Sequence, residues 1–112
     1  LKSIELSKLP KLRKVKLSSN QIEQVKIEKL PNLAILNLSD NKIKHIEIAN
    51  LPNLLELELN FNGLESVSLK NLPSLRNITL NFNQIEDISI KKLPNLYYLS
   101  IENNPLSSVE LE

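Results

Sequence analysis

Few side chains of this 112-residue chain could do covalent or metal chemistry: it has one His, no Cys and a single Gly. Without Cys there is no thiolate nucleophile, no disulfide and no Cys-based zinc site, and His45 alone cannot anchor a metal. The lone glycine, Gly63, follows Asn62 at a bend, so no glycine-rich loop exists to cradle a phosphate. Fourteen Lys or Arg against thirteen Asp or Glu give a net charge of +1, far from the excess of a nucleic-acid binder. Two glycosylation sequons, at Asn37 and Asn77, fall where a strand is expected and are read as chance matches. The chemistry left to this chain is recognition by surface side chains, without catalysis and without a cofactor.

The elements that position those side chains follow from an internal repeat. Leu-Pro recurs at Leu9-Pro10, Leu30-Pro31, Leu51-Pro52, Leu72-Pro73 and Leu93-Pro94, always 21 residues apart. The chain therefore divides into a partial unit, 1–8, and units 9–29, 30–50, 51–71, 72–92 and 93–112, read together as one solenoid domain. In the partial unit Leu1, Ile4 and Leu6 fall in register with Ile22, Val25 and Ile27. Positions 1, 4, 7, 9, 14, 17 and 19 of the unit are aliphatic in every copy. Position 12 is always Asn: Asn20, Asn41, Asn62, Asn83 and Asn104.

Positions 7 and 9 alternate with polar residues, as in Val15-Lys16-Leu17, which predicts a short half-buried strand. Positions 17 and 19 do the same, as in Val25-Lys26-Ile27, in a stretch rich in Ile and Val and too short for a helix. One unit thus reads as a coil turn with two short extended segments on opposite faces. Its two bends fall at the Asn and at Leu-Pro-Asn or Leu-Pro-Ser. A single unit cannot bury enough to offset the ordering of its backbone, so the units must stack. An Asn at each bend can bond backbone groups of its own turn and of the next one.

Residues 30–43, Leu-Pro-Asn-Leu-Ala-Ile-Leu-Asn-Leu-Ser-Asp-Asn-Lys-Ile, resemble the leucine-rich-repeat consensus LxxLxLxxNxL, and the pattern recurs in all five units. The resemblance implies a right-handed coil whose parallel sheet lines a concave face that binds other proteins, with the second extended segments on the convex side. The second half of each unit lacks the helical or Phe-containing segment of many subfamilies, which implies weak curvature. Cys-rich caps are absent, so the compartment stays open between a secreted or cell-surface location and the cytosol.

With positions 7 and 9 inward, positions 6, 8 and 10 point outward. The candidate partner-binding residues are Lys14, Lys16, Ile35, Asn37, Glu56, Glu58, Asn77, Thr79, Tyr98 and Ser100. Leu55 and Tyr97 at position 5, and Phe61 and Phe82 at position 11, fringe the same surface, so all four aromatics lie on or beside it. Adjacent turns would allow Phe61 and Phe82 to stack. Charge is uneven: residues 1–29 hold eight basic and three acidic residues, residues 30–112 six and ten. The function expected is a non-catalytic protein-interaction module that neither inserts in a membrane nor binds nucleic acid. The alternative is a structural or engineered fragment of a longer array with no ligand of its own. An acidic, apolar last turn and a basic start further suggest head-to-tail self-association.

Overall fold

A computed structural model describes residues 2–111, with the side chain of Leu111 excluded. Leu1 and Glu112, which open and close the repeat alignment, lie outside the described residues. Each 21-residue turn carries a three-residue front strand at positions 6–8 and a longer back strand beginning at position 16. The front strands are β2 (Lys14–Lys16), β4 (Ile35–Asn37), β6 (Glu56–Glu58), β8 (Asn77–Thr79) and β10 (Tyr98–Ser100). The back strands are β1 (Ser3–Ser7), β3 (Gln24–Glu28), β5 (His45–Ala49), β7 (Ser66–Lys70), β9 (Asp87–Lys91) and β11 (Ser108–Leu111). All pairing is parallel, and the register is the 21-residue period itself: Leu36 faces Leu57, and Ile46 faces Val67. Among the described residues there is no helix. The result is a β-solenoid of about five turns, as the alternating aliphatic pattern predicts.

The aliphatic columns close into one core between the two faces. Leu36, Leu38, Leu54, Leu57, Leu59 and Leu64 are fully buried, and the columns continue through Leu75, Ile78, Leu80 and Ile85. The outer turns are looser. Leu12 and Leu17 in the first unit and Leu96, Leu99, Ile101 and Leu106 in the last are only partly buried. Burial of this kind is non-directional and sets which residues face inward, whereas register is held by hydrogen bonds.

Glycine serves the corners only at Gly63, at φ 92°. Ten non-glycine residues adopt φ between 53° and 59°. Five lie at position 11 (Ser19, Asp40, Phe61, Phe82, Asn103) and five at position 21 (Lys8, Lys29, Asn50, Asn71, Lys92). The left-handed conformation costs an L-residue about 1–2 kcal/mol, least for Asn and Asp. Only four of the ten are Asn or Asp, so tertiary packing imposes these corners more than local preference does.

Two side-chain ladders secure the stack. At position 12, Asn83 donates from Nδ2 to the carbonyls of Leu80 and, one turn back, Leu59, both at 3.0 Å. Its Oδ1 accepts from the amides of Asn62, Gly63 and Leu64. Asn41, Asn62 and Asn104 repeat the arrangement, each clasping the preceding turn. Among the described residues, Asn20 bonds the carbonyls of Leu17 and Ser18 in its own turn. The second ladder lies at position 3, where Asn53 and Asn95 donate to Pro31 and Pro73 of the turn before, each at 2.7 Å. Asn32 and the hydroxyl of Ser74 do the same toward Pro10 and Pro52.

Candidate protein-binding face

The front sheet is one continuous ladder of five strands, ordered β2, β4, β6, β8, β10. Its four interfaces are built alike. Between the second and third turns, the amides of Leu55 and Glu56 donate to Ala34, Leu38 donates to Glu58, and Asp40 donates to Asn60. The other three interfaces repeat these bonds 21 residues away, so pairing extends past the strands into the position 11 corner. Alternation along this rigid surface turns Val15, Leu36, Leu57 and Ile78 inward and leaves positions 6 and 8 outward.

Of the outward residues, Lys14 and Lys16 are exposed, whereas Ile35, Asn37, Glu56, Glu58, Asn77, Thr79 and Ser100 are half-buried. Tyr98 is 52% exposed. The structure brings Glu56, Glu58, Asn77, Thr79 and Tyr98 around one open depression. Lys14 and Lys16 stand apart from it, on the first front strand. None of these four charged side chains makes an ion pair among the described residues, where Lys91–Glu110 on the back, at 3.7 Å, is the pair formed.

A chain of polar bonds runs diagonally beside the depression. Asn60 donates to the Thr79 hydroxyl at 3.0 Å and accepts from the amide of Asn81 at 2.8 Å. Asn81 in turn accepts from the Ser100 hydroxyl at 2.8 Å and the Glu102 amide at 2.7 Å. Thr79, as an acceptor, and Ser100, as a donor, therefore help to hold the front surface. Asn37 is similarly engaged, accepting from the amide of Ser39 at 3.0 Å. It closes β4, and Asn77 opens β8, so neither sequon asparagine lies in mid-strand.

The aromatic fringe is exposed. Phe61 and Phe82 stack with ring centroids 4.5 Å apart and planes within 6°, while Tyr97 is 83% exposed. Along the other edge, Lys11, Arg13, Asn32, Ala34, Asn53, Leu55 and Ser74 line a second open groove above the Leu-Pro corner. Asn32, Asn53 and Ser74 belong to the position 3 ladder that the reading of the sequence passed over. Their shared phase at position 3 is the signal the sequence carries for this ladder.

The back carries open grooves of its own, one lined by Glu23, Gln24, Lys42, Lys44 and His45 and another by Asn50, Asn71 and the lysines Lys70, Lys91 and Lys92. His45 is exposed and its Nδ1 lies 2.7 Å from the Ser66 hydroxyl. Among the described residues no three His, Cys, Asp or Glu side chains converge as a metal site would require.

The family model for leucine rich repeat matches residues 10–64, and the model for two copies of leucine rich repeats matches residues 73–112. The chain belongs to the leucine-rich-repeat family. Its LxxLxLxxNxL segments are the front strands with the position 12 asparagine that follows them. Leucine-rich repeats serve in general as protein-interaction modules and are typically non-catalytic. No curated protein and no solved structure matches this chain.

Proposed function

We propose that this leucine-rich-repeat chain binds a protein partner through its front sheet, without catalysis. The observation that carries the reading is the front surface itself. It is a uniformly laddered sheet whose outward residues include charges without an ion-pair partner among the described residues, and all the aromatic rings of the chain lie on or beside it. Aromatic and charged groups on a preorganised surface suit recognition, because little entropy is lost when they engage. The residues expected to meet the partner are Lys14, Lys16, Ile35, Glu56, Glu58, Asn77 and Tyr98. Asn37, Thr79 and Ser100 support them through the bonds described above.

A pull-down with the intact chain, followed by substitution of the outward columns, tests this. Tyr98→Ala combined with Glu58→Lys should abolish capture of the partner, whereas changes at Lys26, Glu47, Ser68 and Ser89 on the back should leave it unchanged. Sensitivity confined to the back residues would overturn the assignment.

A further inference from the structure

From the second turn onward, the outward front positions carry no cation. Positions 6, 8, 10 and 11 of turns two to five include Asp40, Glu56, Glu58 and Glu102 and not one Lys or Arg. Arg76, at position 5, and Lys42, at position 13, lie beyond the two edges of this strip. Glu56 and Glu58 are half-buried and meet no ion-pair partner among the described residues. Partly desolvated carboxylates without a counter-charge favour a cation supplied from outside.

The Phe pair stands at the margin of the same strip. Three other units place Ser19, Asp40 and Asn103 at position 11 with the same positive φ, so the corner does not require an aromatic residue. The 4.5 Å ring separation matches the ~4.8 Å spacing between neighbouring strands, so the stack runs along the coil axis. Each ring therefore keeps one face outside the pair. The free face of Phe61 looks toward the turn that holds Asp40. The Asp40 carboxylate leans the other way, accepting from the Ser19 hydroxyl at 3.0 Å.

Resting on the proposed protein-binding role of the front sheet, we infer that this strip recognises arginine side chains presented by an extended segment of the partner. A planar guanidinium can lie on an aromatic face and bond a carboxylate through two donors at once, whereas the Lys ammonium is a point charge that does neither as well. One guanidinium sits on the free face of Phe61 within reach of Asp40, and others pair with Glu58 and Glu102. Glu58 and Glu102 are two turns apart, about 10 Å, which an extended peptide in the polyproline II conformation covers in about three residues, with residues i and i+3 on the same side. Arginine at every third position therefore fits the strip.

The test is fluorescence anisotropy of the labelled peptides (Arg-Gly-Ser)4 and (Lys-Gly-Ser)4 with the intact chain at one fixed ionic strength. The Arg peptide should bind about two- to fivefold tighter than the Lys peptide. Phe61→Ser with Phe82→Ser, which keeps the residue type found at Ser19, should erase that preference and leave the Lys peptide's affinity unchanged. Glu56→Gln with Glu58→Gln should weaken both peptides severalfold, and Glu47→Gln on the back should weaken neither. Circular dichroism verifies that each variant is folded. Equal binding of the two peptides, or a preference that survives loss of both Phe rings, overturns the arginine seat. If neither peptide binds while a captured protein is still released by front-column variants, the arginine inference fails and the front-sheet reading stands. If the Arg peptide binds and only back-face variants weaken it, both fail.

Discussion

The two faces of this solenoid are made from the same period and the same class of aliphatic residues, yet only the front is continuous. The front sheet joins all five of its strands, whereas the back divides into β1–β3 and the four-stranded group β5, β7, β9 and β11. Among the described residues no backbone hydrogen bond joins β3 to β5, and β7 meets β9 over three residues where β5 meets β7 over five. Even the corner leading into the back changes pattern from turn to turn. Lys42 and Gln84 donate to Ile22 and Leu64 at two interfaces, while Glu23, Glu65 and Ser107 donate to Lys2, Lys44 and Glu86 at the others. The front ladder is unbroken where the back has a gap between β3 and β5, which suits the front to present fixed positions to a partner.

This difference can be broken at graded cost. Leu57→Ala, in the fully buried front column, should lose about 3–5 kcal/mol in urea denaturation, because a cavity opens where neighbours are clamped. Val25→Ala, half-buried beside the gap between β3 and β5, should lose only about 1 kcal/mol. Similar losses at both sites would mean that the back is packed as firmly as the front. Hydrogen exchange probes the ladders directly. The amides of Leu38 and Leu59 should exchange at least ~100-fold more slowly than those of His45 and Glu47, whose alternation aims them at the open gap. Comparable protection would show that the back ladder closes in solution.

Smaller effects sharpen the contrast within the front. Asn83→Ala strands the amides of Asn62, Gly63 and Leu64 in a buried corner, while the carbonyls of Leu59, Leu80 and Asn81 keep other donors, and should cost about 2–3 kcal/mol. Asn20→Ala removes the described bonds to Leu17 and Ser18 at an exposed site and should cost under about 1 kcal/mol by the same titration. Smallest of all, Phe61→Ser with Phe82→Ser should change stability by no more than about 1 kcal/mol, since loss of the stack is offset by relief at two positive-φ corners. A large loss there would make the ring pair a structural clamp instead of a recognition surface.

Much of this fold was legible because a period of 21 residues reports directly on which side chains share a column. The two strands per turn, their inward residues and the pairing of Ile4 with Val25 and Leu6 with Ile27 all follow from phase. The gap in the back ladder was not legible. Val25 and Ile46, on either side of it, are of the same type as Val67 and Ile88, which are placed in adjacent, joined strands; inter-turn spacing is a collective property that no single residue marks. The corners were hidden for a different reason. Positive φ is usually signalled by Gly, Asn or Asp, and here Lys8, Lys29, Lys92, Ser19, Phe61 and Phe82 take it. At the candidate face, phase identified the outward columns. It could not reveal that the Thr79 and Ser100 hydroxyls bond Asn60 and Asn81, because those bonds reach diagonally between turns.

The asparagine clasp also acts as a length gauge. Each of Asn41, Asn62, Asn83 and Asn104 reaches back 19 residues to an amide and 24 residues to a carbonyl, so two fixed sequence separations must hold at once in every turn. Insertion or deletion of one residue between the clasped groups breaks both, whereas insertion of a whole 21-residue unit breaks neither. Such a chain can change in size only by whole turns, and the spacing of any features read along its front is quantised with it.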